Sequence, residues 1–173
     1  MNTKKIYLYH LICRFIPETK CHSLKAKMLR WCGAKVGKGC EICSSAKFLG
    51  GYNLIIGDNC YIGFEALIFG HSASTIELED HVKVGSRCII VTGTHDFDPN
   101  GSCIEKDPGT YHNVKICKGS AISTGSIILP GKTVGTMSHV AAGSVVTHDV
   151  PSYHRVAGVP ARVIKNFLED PKK

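Results

Sequence analysis

A chain of 173 residues with 43% hydrophobic and 20% charged residues can fold as one soluble domain plus a short extension, without metals or disulfides as staples. No apolar run approaches the roughly 20 residues that a bilayer-spanning helix needs, which argues against a helical membrane protein. The net charge of +7 would suit a polyanionic partner, but nine Lys/Arg fall within residues 1–38 against one acid, Glu18. The remainder is near neutral, and no nucleic-acid partner is expected.

Residues 1–33 read as a basic helical extension. Residues 6–16, IYLYHLICRFI, are apolar on nearly every side of a helix, yet too short to span and interrupted by His10 and Arg14. They also lack the small-residue cleavage pattern of a secretory signal, so the protein is expected in the cytoplasm. Two roles stay open for this segment. One is a helix packed across an open end of the next domain, covering unpaired strand edges. The other is an interfacial anchor on anionic lipid, a peripheral contact through residues 1–22 at the inner face of the membrane. SLKAKMLRWC then predicts a short helix capped by Ser23.

From Val36 onward an aliphatic residue recurs every six positions: Val36, Ile42; Ile56, Ile62, Ile68; Leu78, Val84, Ile90; Ile116, Ile122, Ile128, Val134, Val140, Val146. This period is neither that of a helix nor that of an alternating strand. It fits a short strand plus a corner, three of which make one coil of a triangular solenoid. Residues 34–168 supply the domain, with five to six coils, each burying its apolar edge against its neighbours. The slot after the aliphatic residue is often small (Gly37, Gly57, Gly63, Gly85, Gly135, Ala141). The fifth slot is small or short as well (Cys40, Ala46, Cys60, Ala66, Cys88, Ser120, Ser126, Ser138, Ser144). Cys40 and Cys43 form a C-x-x-C pair, but Cys40, Cys60 and Cys88 share one slot and Cys43 and Cys117 another. The cysteines are therefore predicted to be compact hydrophobes, with no metal site.

The rhythm breaks at TGTHDFDPNG. A solenoid coil sheds extra residues at a corner, often on its binding face, and Asp98-Pro-Asn-Gly101 and Asp107-Pro-Gly109 mark turns. A protruding loop over 96–113 is predicted, with His95 at its base. A loop of this length in a compact domain is usually functional or disordered.

The comb, the lead-in LRWCGAKVGKGC, and above all ILPGKTVGTMSHVAAGSVVTHDVP followed by VAGVPARVIK resemble the hexapeptide-repeat acyltransferases, in particular sugar O-acetyltransferases. The resemblance implies an all-β, left-handed parallel β-helix, a short C-terminal helix before a tail at 169–173, and a homotrimer with sites between subunits. It implies acetyl-CoA as acyl donor, a sugar or glycan acceptor, and no metal. His95 matches the general base that removes the hydroxyl proton during direct attack; histidine suits this role because its ordinary pKa is about 6.5. Asp96 and Asp98 are candidates to orient the imidazole or bind sugar hydroxyls, or they simply shape the turn. The family's usual asparagine is replaced by Gly63, with Glu65 two residues on as a substitute polar contact.

For the coenzyme, Thr124 and Ala142 match positions giving backbone contacts. Thr147, His148 and Arg162 match positions near the adenosine and 3′-phosphate, Arg162 with a lasting charge and a fork that fits phosphate. Ala121 and Ser123 stand where a Trp and a Gly are common. Alternative readings are an N-acetyltransferase on an amino sugar, a serine acetyltransferase, a γ-type carbonic anhydrase (His71, lacking its partner histidine), and a non-catalytic scaffold.

Overall fold

The computed structural model describes residues 1–95 and 109–169. Two helices, α1 (Thr3–Cys13) and α2 (His22–Trp31), precede the first coil, β1 (Lys35–Val36), β2 (Glu41–Ile42) and β3 (Lys47–Leu49). The second coil is β4 (Asn53–Ile56), β5 (Tyr61–Ile62) and β6 (Leu67–Phe69); the third is β7 (Thr75–Leu78), β8 (Lys83–Val84) and β9 (Ile89–Val91). A ribbon, β10 (Gly93–Thr94) and β11 (Thr110–Tyr111), then leaves the wall. The fourth coil is β12 (Val114–Ile116), β13 (Ala121–Ile122) and β14 (Ile127–Ile128); the fifth is β15 (Thr133–Val134), β16 (His139–Val140) and β17 (Val145–Val146). A hairpin of β18 (His154–Ala157) and β19 (Arg162–Asn166) ends the described chain.

These strands stack into three faces. Face 1 runs β1-β4-β7-β12-β15, face 2 runs β2-β5-β8-β13-β16-β18-β19, and face 3 runs β3-β6-β9-β14-β17. Pairing along each face is parallel, except for the final β18–β19 pair. The result is the triangular parallel solenoid expected from the period, and its left-handed course is the one implied by the resemblance. The aliphatic comb fills it: Ile42, Ile62, Val84 and Val140 are fully buried, stacked up the inside of face 2. Each such side chain contributes about 1.5–3 kcal/mol of burial.

Two further slots shape the corners. The fourth position of many hexads adopts a left-handed backbone, with φ between +53° and +60° at Asn59, Glu65, His81, Arg87 and Met137. The fifth slot is more than small. Ser120, Ser126 and Ser138 donate their hydroxyls to the carbonyls of Gly135 (2.6 Å), Ala141 (2.8 Å) and Pro151 (2.6 Å). The thiols of Cys40, Cys60 and Cys88 do the same toward Gly57 (3.1 Å), Glu79 (3.0 Å) and Ser123 (3.0 Å). The cysteines expected to serve only as hydrophobes are thus also donors, linking one coil to the next.

The helical extension closes the first coil by placing one side chain on each open strand edge. Arg30 donates to Val36 O (2.8 Å) and Gly37 O (2.7 Å) beside β1. His22 Nδ1 meets the backbone of Ile42 in β2 at 3.1 Å, and His10 Nε2 accepts the N–H of Phe48 in β3 at 3.1 Å. Of the two roles open for this segment, the packed end cap is therefore realised by the inner side of α1. Ser23 is not the cap of α2. The capping position is Cys21, in a left-handed conformation and without a side-chain bond, because the chain turns two residues earlier to bring His22 onto β2.

His10 can accept that N–H only while unprotonated, and burial, then Lys47, lowers its pKa to about 4. Since this lies below the unfolded value of about 6.5, its contribution is complete above that value and disappears as pH falls toward the folded pKa. After discounting for partial exposure, unfolding in urea should show roughly 1–2 kcal/mol lost through this window. His10→Gln, whose amide oxygen still accepts, should flatten that part of the profile.

The expected C-terminal helix is not present among the described residues. Residues 154–166 form an antiparallel hairpin instead. The exposed edge of β16 offers unpaired backbone, and the β-branched Val163 and Ile164 favour extended chain over helix. The return limb of the loop expected at 96–113 is likewise part of a strand pair, since Thr110 and Tyr111 face Thr94 and Gly93.

Candidate active site

His95 ends the outgoing limb of the ribbon, where the chain leaves the corner between faces 3 and 1. The His112 N–H donates to Thr92 O at 2.8 Å, so the returning limb is fixed against the wall. Beside it lies a cavity of about 530 Å³ whose lining includes Phe69, His71, Thr94, His95 and Tyr111. Tyr111 stacks on His71, with centroids 3.7 Å apart and planes within 12°. A Cβ built on Gly109 would lie 3.1 Å from Tyr111 Oη and 3.4 Å from His95 Cε1, so phenol and imidazole converge on one small space. His71 Nδ1 accepts the N–H of Ala73 at 3.2 Å, which leaves its proton on Nε2. Neither Tyr111 nor His71 was singled out for this site from the sequence; forty residues separate them, and only the ribbon brings them together. Asp96 and Asp98 lie outside the described residues.

Glu65 sits at the other edge of face 3, on the corner before β6. Its carboxylate pairs with Arg87 at 2.7 Å, both side chains largely exposed, an arrangement that contributes little to stability. The neighbouring Gly63 has no room for a side chain. A Cβ there would meet the carbonyl carbon of Gly85 and the nitrogen of Ser86, both at 2.8 Å. The asparagine implied by the resemblance is thus excluded by the backbone of the coil above.

Thr124 and Ala142 occupy the same corner, one coil apart, and Thr124 O accepts the Gly143 N–H at 3.0 Å. Gly125 and Gly143 beside them have φ of +71° and +68°, and a Cβ on either would touch nothing within 4 Å. The upper coils thus present a bare strip of backbone where the lower ones carry Glu65 and Arg87. Next to the strip, Ser123 Oγ lies 2.7 Å from His139 Nε2, while Arg155 Nε donates to His139 Nδ1 at 3.0 Å. Arginine only donates, so His139 holds its proton on Nε2 and gives it to Ser123. Burial and Arg155 also lower the pKa of His139. Ser123 is therefore not activated as a nucleophile by this histidine.

His148 and Arg162 come together in a second cavity of about 360 Å³. Thr147 Oγ1 lies 2.9 Å from His148 Nδ1. Asp149 shares the lining, and Arg162 also donates to Ala161 O at 3.0 Å.

The candidate residues thus fall on two corners. His71, His95, Thr147 and His148 follow strands of face 3, whereas Glu65, Thr124 and Ala142 precede them. From the second coil upward the outer surface between the corners is apolar: Leu67, Ile89, Ile127 and Val145 stand in register, with Phe69 and Val91 alongside; in the first coil the column begins with Lys47, beside Leu49. The other faces carry charge at equivalent positions, with Glu77 and Lys115 on face 1 and Lys83, His139 and Arg155 on face 2.

No family model matches the chain. The galactoside O-acetyltransferase of Escherichia coli is 32% identical over 145 residues, covering 80% of this chain and 66% of that protein. The galactoside O-acetyltransferase of Lactococcus lactis is 31% identical over 157 residues, covering 89% of this chain and 70% of that protein. The chain belongs to the hexapeptide-repeat acetyltransferases of the sugar O-acetyltransferase type. As a member it is an acyltransferase. It spans just under two thirds of the Escherichia coli relative, and 70% of the Lactococcus one. A hexapeptide-repeat acetyltransferase of Vibrio cholerae, solved with acetyl coenzyme A, shares the fold. Its TM-score is 0.72 at 22% identity, over 95% of this chain and 86% of that one.

Proposed function

We propose that this hexapeptide-repeat acetyltransferase moves an acetyl group from acetyl-CoA to a sugar hydroxyl of a glycan or glycan precursor. His95 takes the hydroxyl proton as the oxygen forms its bond to the thioester carbon. The C–S bond then breaks, and the departing sulfur receives that proton from the imidazolium. The stacked His71 and Tyr111 give the acceptor a flat wall beside the base.

One observation supports this reading: the candidate residues fall into two groups, on opposite corners of a largely apolar face. Joining copies through face 3 about a threefold axis sets the exit corner of one protomer, with His95 and His148, against the entry corner of the next. That corner bears Thr124, Ala142 and the bare glycine strip. The pantetheine arm lies along the strip and Arg162 takes the phosphate. Contiguous apolar surface of this kind marks an association site; the homotrimer is what the family resemblance implies, and it would close such contacts into a ring. An acceptor carried on a lipid-linked glycan would bring residues 1–22 to the inner face of the membrane, with the domain in the cytoplasm.

Thiol release from acetyl-CoA against sugars, amino sugars and serine tests the reading, with light scattering for the assembly. Turnover with hydroxyl sugars by a trimer is expected. Turnover with amines alone overturns the acceptor, and a monomer of full activity overturns the shared site. Arg162→Ala should raise KM for acetyl-CoA about tenfold or more, the usual value of a charge-assisted bond to phosphate, with kcat little changed.

A further inference from the structure

The outward side of α1 is not used by the end cap. At 3.6 residues per turn, Ile6, Tyr9 and Cys13 share one side of the helix and are buried. Tyr7, Leu8, Leu11 and Ile12 fall on the opposite side and are exposed, continued by Phe15 one residue past the helix; Tyr7 is 77% and Phe15 85% exposed. Lys4 lies in line with this stripe, and Lys5 and Arg14 border it on either side. Lys5 reaches over Trp31, itself half exposed, at 4.7 Å from the ring centroid. The one acid of residues 1–38, Glu18, is turned inward, its carboxylate accepting from the N–H and hydroxyl of Ser45 at 3.0 Å.

We infer that this stripe docks the solenoid, end-on, onto an anionic lipid surface. Aromatic and aliphatic side chains flanked by cations are what an interfacial helix presents to headgroups and acyl chains. A second copy of this chain would offer no complementary acid here, whereas phosphate headgroups match the basic border. α1 is also short, and no described helix is long and apolar enough to cross a membrane. It therefore lies in the interface, held against the first coil by Phe48 and His10 while its outer side meets lipid. The inference rests on α1 alone and not on the acetyl-transfer reading.

The test is flotation of the full chain with vesicles of phosphatidylcholine, with and without phosphatidylglycerol. A triple variant, Tyr7→Ser/Leu11→Ser/Phe15→Ser, and a charge variant, Lys4→Gln/Arg14→Gln, are run beside the wild type. Preference for the anionic vesicles by about tenfold is expected, weakening with salt. The triple variant should lose binding to both vesicle types, and the charge variant should lose only the anionic preference. Thiol release in solution should be unchanged in all three proteins, which keeps this outcome separate from that of the proposed reaction. Equal flotation of wild type and triple variant overturns the inference. So does a triple variant whose assembly mass falls, because the stripe would then be an interface between copies.

Discussion

His95→Ala is expected to lower kcat for acetyl transfer by about 10²–10⁴-fold, the usual contribution of a positioned general base. KM for acetyl-CoA should change little, because Thr124, Ala142, His148 and Arg162 lie on other coils. Thermal stability should hold, since His95 is exposed at the end of a ribbon and outside the packed interior. His95→Gln separates proton transfer from hydrogen bonding: glutamine can donate or accept but cannot take up the proton, and it should be as inactive as alanine. Steady-state thiol release with a saturating sugar acceptor reads both. Turnover within a few-fold of wild type in either variant would remove the imidazole from the reaction.

Phe48→Ala is expected to cost about 3–5 kcal/mol of unfolding free energy, the range for a deleted, fully buried aromatic ring. Phe48 is fully buried and meets Tyr9 edge-on, centroids 6.1 Å apart, so it joins the helical cap to the solenoid interior. Phe15→Ala makes the control, because Phe15 is 85% exposed just past α1 and its loss should stay within about 0.5 kcal/mol. Urea unfolding at one fixed protein concentration compares them, since assembly would otherwise shift the apparent stability. Similar midpoints for the two variants would mean that the extension is a separate appendage.

The coils were legible because close packing admits only branched aliphatic side chains at the comb positions, and Ile62 or Val140 advertises this without ambiguity. The left-handed corner slot was not legible. Asn59 suits such a backbone, but Glu65, Arg87 and Met137 cost about 1–2 kcal/mol there and resemble ordinary surface residues in sequence. The donor role of Ser120 and Cys60 was hidden for another reason: size and donor capacity favour the same residue types, so the pattern could not separate them. The hairpin at 154–166 exists because β16 has an edge to complete, a tertiary cause with no local signature. In the site, the position of His95 followed from where the rhythm broke. The Tyr111–His71 stack did not, since it depends on how the ribbon returns.

The hairpin, the three side chains beneath the first coil and the parallel bridge of Val150 to Val134 have one more consequence. A stack of flat parallel strands is built like a slice of cross-β fibre, and uncovered ends would let identical molecules add one on another without limit. Here the lower rim is already hydrogen-bonded by Arg30, His22 and His10. The outermost strand at the upper rim carries Arg162 and Lys165, charges that resist further strand addition. Among the described residues, both ends therefore oppose strand-on-strand growth along the axis, which leaves the lateral direction for self-association through the sheets.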